Sequence, residues 1–269
     1  MNSDGRLIVC PTPIGNLEDV TLRVLSALRD ADIVACEDTR RTRVLLDRYG
    51  VKARLRSYEE HNESQRAPEL VEAMRGGAVV ALVSDAGMPL VSDPGFVLVR
   101  ACVAAGLAVE VLPGPSAALA ALVASALPAD RWRFEGFLPR RPAQLKAVFE
   151  APETVVAFES PRRLAKSLAV LASLDPDRQV AVCRELTKLH EEVVRGRASE
   201  LAERYEAMPP RGEVALVVGP APDRAEPDLG PALQSLRRLI ESGAKPRPAA
   251  AVVAELTGVS ANALYRALN

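Results

Sequence analysis

Short apolar segments alternate with amphipathic ones along the first half of this chain, and this alternation restricts the fold more than any other feature. The apolar segments suit buried strands, and the segments between them have helical spacing. Such an order is typical of a parallel, doubly wound α/β sheet. The predicted strands are Arg6–Cys10, Ile33–Cys36, Arg54–Ser57, Val79–Ser84 and Ala108–Leu112, and the predicted helices are Val20–Ala31, Arg40–Tyr49, Ser64–Arg75, Gly95–Ala105 and Ser116–Ala126.

The second half is less regular, and some of its predicted strands follow one another without a helix, which favours a mixed sheet. A break at Leu127-Pro128-Ala129-Asp130 and a Pro-rich linker after Gly219 divide the 269 residues into three parts: 1–127, 128–220 and a helical tail, 221–269. The predicted strands are Trp132–Phe137, Thr154–Phe158, Gln179–Cys183, Glu192–Gly196 and Glu213–Val218, and the predicted helices before the tail are Pro142–Glu150, Pro161–Ser173 and Ser199–Met208.

The loop Ser84–Gly95 follows the most apolar strand and holds two Asp, two Pro and two Gly among small residues. Ligands of open α/β sheets bind outside the carboxyl ends of the strands. Gly and Pro there allow a close and fixed approach of the backbone, and the carboxylates accept hydrogen bonds. The alternative is a tight strand-to-helix turn in which Asp93 caps the next helix.

Four further strand ends carry unusual residues, so we predict a ligand cleft floored by the first sheet and roofed by the second half. The loop after the first strand is not a G-x-G-x-x-G loop, so the usual dinucleotide fingerprint is missing. Thr39 is placed to cap the helix after the second strand. The four segments are Pro11–Leu17, Glu37–Arg40, Pro113–Ala117 and Arg184–Lys188.

Charge and cysteine content exclude some classes of function. The net charge of −1 gives no global attraction to nucleic acid, although Arg40–Arg56 holds seven basic residues and one acid. That run is either a phosphate-binding surface or a solvated face. The four cysteines show no metal spacing, so we expect no metal. With no signal peptide or apolar run of membrane-spanning length recognised, we expect a cytoplasmic protein.

The strand-end motifs together resemble those of the tetrapyrrole methylase superfamily, and within it the group that acts on small-subunit ribosomal RNA. The resemblance implies two αβα domains with a helical C-terminal tail, S-adenosylmethionine in the cleft, and a homodimer. It also implies methylation of the ribose 2′-hydroxyl of a cytidine in the decoding region of 16S rRNA, within the small ribosomal subunit. The motifs are Pro13–Asp19, Glu37–Arg40, Ser84–Gly95, Pro113–Ser116, Arg184–Lys188 and Arg211–Glu213.

Loops that flank the strand ends are expected to hold the cofactor. Pro13-Ile14-Gly15 stands where tetrapyrrole-modifying members carry a Gly-rich loop, which disfavours a porphyrin or corrin substrate. A small-molecule methylase and a non-catalytic rRNA-binding assembly factor remain the alternatives. The predicted cofactor-binding residues are Pro13, Ile14, Gly15, Asp85, Ala86, Gly87, Ser92, Asp93, Ser116, Ala117, Leu186, Val214, Ala215 and Leu216.

A ribose hydroxyl needs a base to take its proton, and we predict Asp38 in that role because it follows a strand beside a basic helix. The other candidates are Glu37, Asp85, Glu59, Glu60 and His61. Alternatively, Asp38 only pairs with Arg40 or Arg41.

Basic side chains beside the cleft are the predicted RNA contacts, namely Arg40, Arg41, Arg43 and His61. In the tail, Ala254–Leu268 resembles a helix-turn-helix and predicts RNA docking. A plain helical hairpin is the alternative there.

Overall fold

The first half alternates strands and helices as predicted, and the ends of the elements differ from the predicted ones by at most two residues. The computed structural model describes residues 5–222 and 229–268. The elements of the first half are β1 (Arg6–Val9), α1 (Leu22–Asp30), β2 (Ile33–Cys36), α2 (Thr39–Arg48), β3 (Leu55–Ser57), α3 (Glu63–Arg75), β4 (Val79–Val83), α4 (Phe96–Ala104), β5 (Ala108–Val111) and α5 (Ala117–Ser125).

All five strands of the first sheet run parallel, in the order β3-β2-β4-β1-β5. Strand β4 is buried along its whole length because helices cover both faces of the sheet. One face packs with α1 and α2 around Val24, Leu28 and Leu45, and the other packs with α3 and α4 around Leu70 and Leu98. The predicted doubly wound sheet is confirmed, and its strands all end at one edge.

The second sheet is mixed, as predicted, in the order β6-β7-β10-β8-β9. Strands β6, β7 and β8 share one direction, while β10 and β9 run against them. The carboxyl ends of β6, β7 and β8 therefore meet the amino end of β10 at one edge. The elements are β6 (Trp132–Phe137), α6 (Pro142–Phe149), β7 (Thr154–Glu159), α7 (Pro161–Leu174), β8 (Gln179–Arg184), β9 (Glu192–Arg197), α8 (Ala198–Ala207) and β10 (Val214–Val218).

Helix α5 lies before the predicted boundary at residue 127 but covers a face of the second sheet. Its Ala121 and Leu122 pack in one buried cluster with side chains of β7, β8 and β10. Arg195 of β9 donates hydrogen bonds to the carbonyls of Ala124 and Ser125 at the end of the helix. Because α5 is almost entirely apolar, it needs an apolar surface to pack on, and the second sheet covers one of its sides.

The chain divides into two units, Met1–Pro220 and Ala221–Asn269. The second unit contains α9 (Leu229–Glu241), α10 (Pro246–Thr257) and α11 (Ala261–Ala267), with a small core of its own. Gly258 ends α10 at φ 72°, and Leu264 of α11 is fully buried. A helix-turn-helix and a plain helical hairpin share both features. The predicted linker lies mostly outside the described residues. No helix in the described ranges is long and apolar enough to cross a membrane.

Candidate active site

A cleft of about 350 Å³ lies where the carboxyl edge of the first sheet faces the corresponding edge of the second. Its volume is in the range of small-molecule sites. The walls combine backbone-rich loops from the first half with side chains from the second. The lining residues are Ile14, Ala86, Gly87, Met88, Val91, Ser92, Asp93, Ser116, Ala117, Phe137, Phe158, Glu159, Ser160, Pro161, Cys183, Leu186, Gly212, Glu213, Val214 and Ala215.

The first wall is held by hydrogen bonds between two strand-end loops. Thr12 and Gly87 form a bridge in which each backbone N–H donates to the carbonyl of the other, at 2.8 and 3.0 Å. The Thr12 hydroxyl donates to the Ser84 carbonyl at 3.0 Å, and the Ser84 hydroxyl donates to the Gly87 carbonyl at 3.1 Å. This network fixes the loop after β4 against the loop after β1.

Gly87 is required at the centre of that wall. Its φ of +87° lies in the left-handed region, and a Cβ there would lie 3.3 Å from Ile14 Cγ2 and 3.7 Å from the Pro115 carbonyl oxygen. Three strand-end loops thus converge on one glycine, whose missing side chain keeps the cleft open.

Strained backbone marks a loop on each side of the cleft. Among the described residues, five other than glycine have positive φ, and four of them lie in these two loops. Leu90 and Ser92 follow β4, with φ of 74° and 66°, and Glu185 and Thr187 follow β8, with φ of 51° and 67°. Such conformations cost about 1–3 kcal/mol each and cluster at functional sites.

The second wall is held by charged side chains. Lys188 Nζ lies 2.9 Å from both Glu185 Oε1 and Glu213 Oε2, and Glu185 Oε1 also accepts from the Glu213 N–H at 2.9 Å. The Asn16 N–H donates to the Thr187 hydroxyl at 3.0 Å, which joins the loop after β1 to the loop after β8. The two halves of the cleft are therefore connected directly.

Glu159, at the end of β7, is a lining residue with little capacity left for a ligand. Its carboxylate accepts from the Ser160 N–H at 2.7 Å and from the Ser167 hydroxyl at 2.5 Å, and it lies 3.2 Å from Arg163 Nη2. The side chain is fully buried. Protein donors thus satisfy this carboxylate.

Three carboxylates gather at the first sheet edge. Burial, reinforced by the charge of Glu37, raises the pKa of Asp93 to about 6. Burial and then the charge of Asp85 raise the pKa of Glu37. Asp85 accepts from the Asp38 N–H at 2.9 Å and lies 3.3 Å from Arg41 Nη1. Asp93 lines the cleft, so a carboxyl that titrates near neutrality faces the ligand space.

Asp38 has a different environment. It is the N-cap of α2, the place we expected for Thr39: its Oδ1 accepts from the Arg40 N–H at 2.8 Å, while its Oδ2 lies 3.0 Å from Arg40 Nη2. The hydrogen bond from the Arg40 side chain is the largest cause of its lowered pKa. Asp38 does not line the cleft. This pairing with Arg40 is the alternative role given above for Asp38.

The alternative given for the Ser84–Gly95 loop, in which Asp93 caps the next helix, also differs from the structure. Gly95, at φ +136°, is the N-cap of α4, and no side chain caps that helix, so Asp93 is not a cap. Its carboxylate stays at the cleft.

Most predicted cofactor residues share this cleft. Pro13 and Gly15 flank the lining residue Ile14, and Asp85 adjoins the lining residue Ala86. Leu216 is fully buried in the core of the second sheet because it lies two residues further along β10 than Val214, on the same face but away from the edge that forms the cleft. Those in the lining are Ile14, Ala86, Gly87, Ser92, Asp93, Ser116, Ala117, Leu186, Val214 and Ala215.

Sequence reasoning missed ten lining residues, most of them on the second wall. Phe137, Phe158 and Cys183 lie near the ends of the three parallel strands β6, β7 and β8. Their common position can be recognised only once the directions of the strands are known. Met88 and Val91 lie inside the loop already singled out. The others are Glu159, Ser160, Pro161, Gly212 and Glu213.

The predicted RNA contacts lie outside the cleft lining. Arg40, Arg41 and Arg43 are exposed on the first two turns of α2, and His61 is exposed in the turn before α3. Throughout residues 5–222 and 229–268, no group of three or more His, Cys, Asp or Glu side chains is arranged to hold a metal ion.

Comparison with known proteins places this architecture among methylases. The sequence profile described as Tetrapyrrole (Corrin/Porphyrin) Methylases matches residues 6–202. A Mesorhizobium japonicum protein named ribosomal RNA small subunit methyltransferase I is 49% identical, over 97% of this chain and 90% of its own. A Thermotoga maritima protein of the same name is 45% identical, over 80% of this chain and 98% of its own. The crystal structure of uroporphyrin-III-C-methyltransferase from Thermus thermophilus superposes with a TM-score of 0.58 at 25% identity, covering 80% of this chain and 94% of that one.

Proposed function

The chain belongs to the tetrapyrrole (corrin/porphyrin) methylase family, and we propose that it transfers a methyl group from S-adenosylmethionine to the ribose 2′-hydroxyl of a cytidine in the decoding region of 16S rRNA. It is an S-adenosylmethionine-dependent methyltransferase: its relatives are named methyltransferases, and a solved structure of the same fold, a uroporphyrin-III C-methyltransferase, is complexed with S-adenosyl homocysteine. The observation that supports an RNA substrate is the match to relatives named for small-subunit rRNA over 97% and 98% of this chain. The nucleotide and the hydroxyl rest on the family resemblance described above.

The cleft suits S-adenosylmethionine in size and chemistry. Its volume of about 350 Å³ and its small side chains leave room for a ligand of that class. Bound there, the cofactor would supply a methyl group on a cationic sulfur, which favours nearby backbone carbonyls over bulky side chains. We propose that the predicted cofactor-binding residues, apart from the core residue Leu216, hold it. The bridged Thr12–Gly87 loops would fix its position, and positioning is most of the catalysis in a displacement reaction.

We propose that the group that accepts the proton of the ribose 2′-hydroxyl lies at the edge of the first sheet. Asp38 remains the sequence prediction, but its carboxylate is engaged by Arg40 and its lowered pKa makes it a weaker base. Asp93 lines the cleft, and its pKa of about 6 is suited to a base near neutral pH. We therefore place Asp93 ahead of Asp38, in addition to any contact it makes with the cofactor.

Labelled methyl transfer tests the function as a whole. The purified protein is given radiolabelled S-adenosylmethionine together with small ribosomal subunits, naked 16S rRNA or a porphyrin precursor. We expect label in the RNA, and mass mapping should place it on the ribose of one cytidine. Label in the porphyrin precursor would support the small-molecule methylase. Binding to rRNA without transfer would support an assembly factor.

RNA docking is proposed for the basic face of α2, with His61 beside it, and for the tail. Residues 229–268 carry five basic and two acidic side chains, in contrast to the net charge of −1 of the whole chain. Deleting residues 221–269 should abolish methyl transfer at low rRNA concentration while affinity for S-adenosylmethionine stays within twofold. Full activity would remove the docking role, and aggregation would support a packing role.

A homodimer in the cytoplasm completes the proposal. Exposed apolar side chains on α4, on the edge strand β5 and on α5 support a contact between copies, since Val103, Val111 and Val123 are 66%, 57% and 81% exposed. The four cysteines are free thiols, as a reducing compartment requires. Light scattering should show a dimer that the double variant Val111→Asp, Val123→Glu converts to a monomer. A wild-type monomer would contradict the proposal.

A further inference from the structure

Phe137 is an exposed aromatic side chain at the mouth of the cleft. It ends β6 and lines the cleft, yet it is 64% exposed. Its ring contacts Phe158 edge to face at 5.7 Å, and Phe158 contacts Phe134 in the same way at 5.1 Å. Three of the five phenylalanines in the chain thus form one row, which holds the Phe137 ring while much of its surface stays accessible.

Three arginines lie on two segments near this ring, the loop after β6 and the start of α7. Arg140 and Arg141 come three and four residues after Phe137, and Arg162 lies in the first turn of α7, next to the lining residue Pro161. All three are exposed. In the part of the chain that the structure describes, none of the three is within ion-pair distance of a carboxylate. Their charges are therefore available to a ligand.

Arg163 fixes the loop after β6 to the start of α7. Its guanidinium donates to the carbonyls of Leu138 and Pro139 at 3.0 and 2.8 Å, and it lies 3.2 Å from the buried Glu159 carboxylate. The Leu138 N–H donates to the Phe158 carbonyl at 3.0 Å. The ring and the three arginines are therefore held on one rim of the second half.

We propose that this rim binds the RNA substrate: Phe137 stacks on the base of the target nucleotide, and Arg140, Arg141 and Arg162 contact the phosphates beside it. The inference rests on the proposed function. An aromatic face beside arginines is the chemistry that recognises single-stranded RNA, because every base has a π face and every linkage a negative charge. S-adenosylmethionine also has a base, but it carries no phosphate, and its single carboxylate cannot neutralise three arginines.

Stacking would also solve a geometric problem of ribose methylation. A base inside a helix keeps its ribose on the duplex surface, whereas a base drawn out onto a platform brings the ribose with it. The stacked base fixes the sugar near the carboxylates of the first sheet edge. The first wall would then hold the cofactor together with Leu186, Val214 and Ala215, and the rim of the second wall around Phe137 would hold the nucleotide.

The test measures cofactor binding and RNA methylation separately in the full-length protein. Phe137→Ala should lower kcat/KM for small-subunit RNA about 5- to 100-fold, the range found for loss of one stacked base. Its affinity for S-adenosylmethionine, by calorimetry, should stay within twofold. Phe137→Trp should stay within threefold of wild type in both, and Phe137→Leu, which keeps the apolar packing on Phe158, should behave like Phe137→Ala. Leu174→Ala, at an exposed apolar position at the end of α7 away from the cleft, is the matched control.

The arginines are tested through salt dependence. The triple variant Arg140→Gln, Arg141→Gln, Arg162→Gln should weaken RNA binding and reduce the slope of log affinity against log salt by about 2. Arg29→Gln with Arg75→Gln, at helix ends on the opposite edge of the first sheet, should leave the slope unchanged.

Three results would overturn the inference. Equal loss of cofactor affinity and methylation in Phe137→Ala would make the ring a cofactor wall, and RNA kinetics like those of Leu174→Ala would leave it without a role. An unchanged salt slope in the triple variant would remove the phosphate contacts. If the wild-type protein transferred no methyl group to small-subunit RNA, the proposed function itself would fail and this inference with it.

Discussion

The two sheets present corresponding edges to one cleft, but they build its walls from different material. The first wall is mainly backbone, since the loops after β1, β4 and β5 converge on Gly87 and are bridged through Thr12. The second wall is mainly side chains, with Phe137 and Phe158 beside the Glu185–Lys188–Glu213 network. A backbone wall suits close and invariant contact with a cofactor, whereas a side-chain wall suits a larger and more varied substrate.

The difference also affects how each wall responds to substitution. A backbone wall fails when a Cβ fills it or when its left-handed residues lose their conformation. A side-chain wall fails when one group is truncated or left without its partner. The predictions below test this contrast.

The largest effect should come from the carboxylates of the first edge. Asp93→Asn should lower single-turnover methyl transfer about 10²- to 10⁴-fold, with cofactor and RNA affinities much less affected. Wild-type kcat/KM should rise with pH through about 6, because the carboxylate must lose its proton before it can accept another. Asp38→Asn is the matched comparison. If Asp38→Asn abolished transfer and Asp93→Asn stayed within threefold of wild type, the sequence prediction would be right.

Filling the backbone wall should remove cofactor binding. Gly87→Trp places a large side chain where a Cβ already lies 3.3 Å from Ile14 Cγ2, so affinity for S-adenosylmethionine should fall at least about 100-fold. Gly106→Trp is the control, because Gly106 also has a positive φ, of +69°, but open space around it. Intact cofactor binding in Gly87→Trp, measured by calorimetry, would show that the pocket is elsewhere.

Neutralising the basic face of α2 should weaken substrate binding more moderately. The triple variant Arg40→Gln, Arg41→Gln, Arg43→Gln should lower RNA affinity about tenfold and flatten its dependence on salt. Arg41 also pairs with Asp85, so cofactor affinity is measured in parallel. A salt slope equal to that of the wild type would identify α2 as a solvated face, leaving the rim around Phe137 as the only RNA surface proposed on this unit.

A carboxylate of the second wall should matter for stability and little for chemistry. Glu159→Gln leaves Arg163 without its buried partner and should lower the free energy of unfolding by about 1–3 kcal/mol. Methyl transfer by the folded variant should stay within threefold of wild type, because protein donors already occupy that carboxylate. Denaturant unfolding gives the first quantity. A hundredfold loss of activity in the folded variant would place Glu159 in the chemistry.

The smallest effect concerns the contribution of Asp93 to the stability of the protein. Its pKa is raised from 3.8 to about 6, so the folded state binds more protons than the unfolded state between those values, and stability falls as the pH rises through that window. Asp93→Asn should therefore be more stable than wild type at pH 7.5, on the order of 1 kcal/mol, and should lose this advantage below about pH 4. Unfolding curves at both pH values measure it. A variant that is less stable at pH 7.5 would show that the Asp93 charge is well compensated.

Much of the first wall could be predicted from the sequence because its signals are local. The loop Ser84–Gly95 can be recognised from its own Pro, Gly and Asp residues. The second wall has no such signal, since Phe137, Phe158 and Cys183 are ordinary strand residues that become neighbours only because β6, β7 and β8 share a direction. The prediction for Leu216 shows the same limit, since it needed to be known how far along β10 the cleft extends.

By itself, the sequence determined the order and type of the elements, the parallel first sheet, and the loops that hold Asp85, Gly87 and Asp93 at its edge. Hydrophobic periodicity and turn residues act over a few positions, so they can be read directly. Only the tertiary structure decided that α5 covers the second sheet and that the pKa of Asp93 is raised. These depend on burial and on charges distant in sequence, and both arise only when the chain has packed.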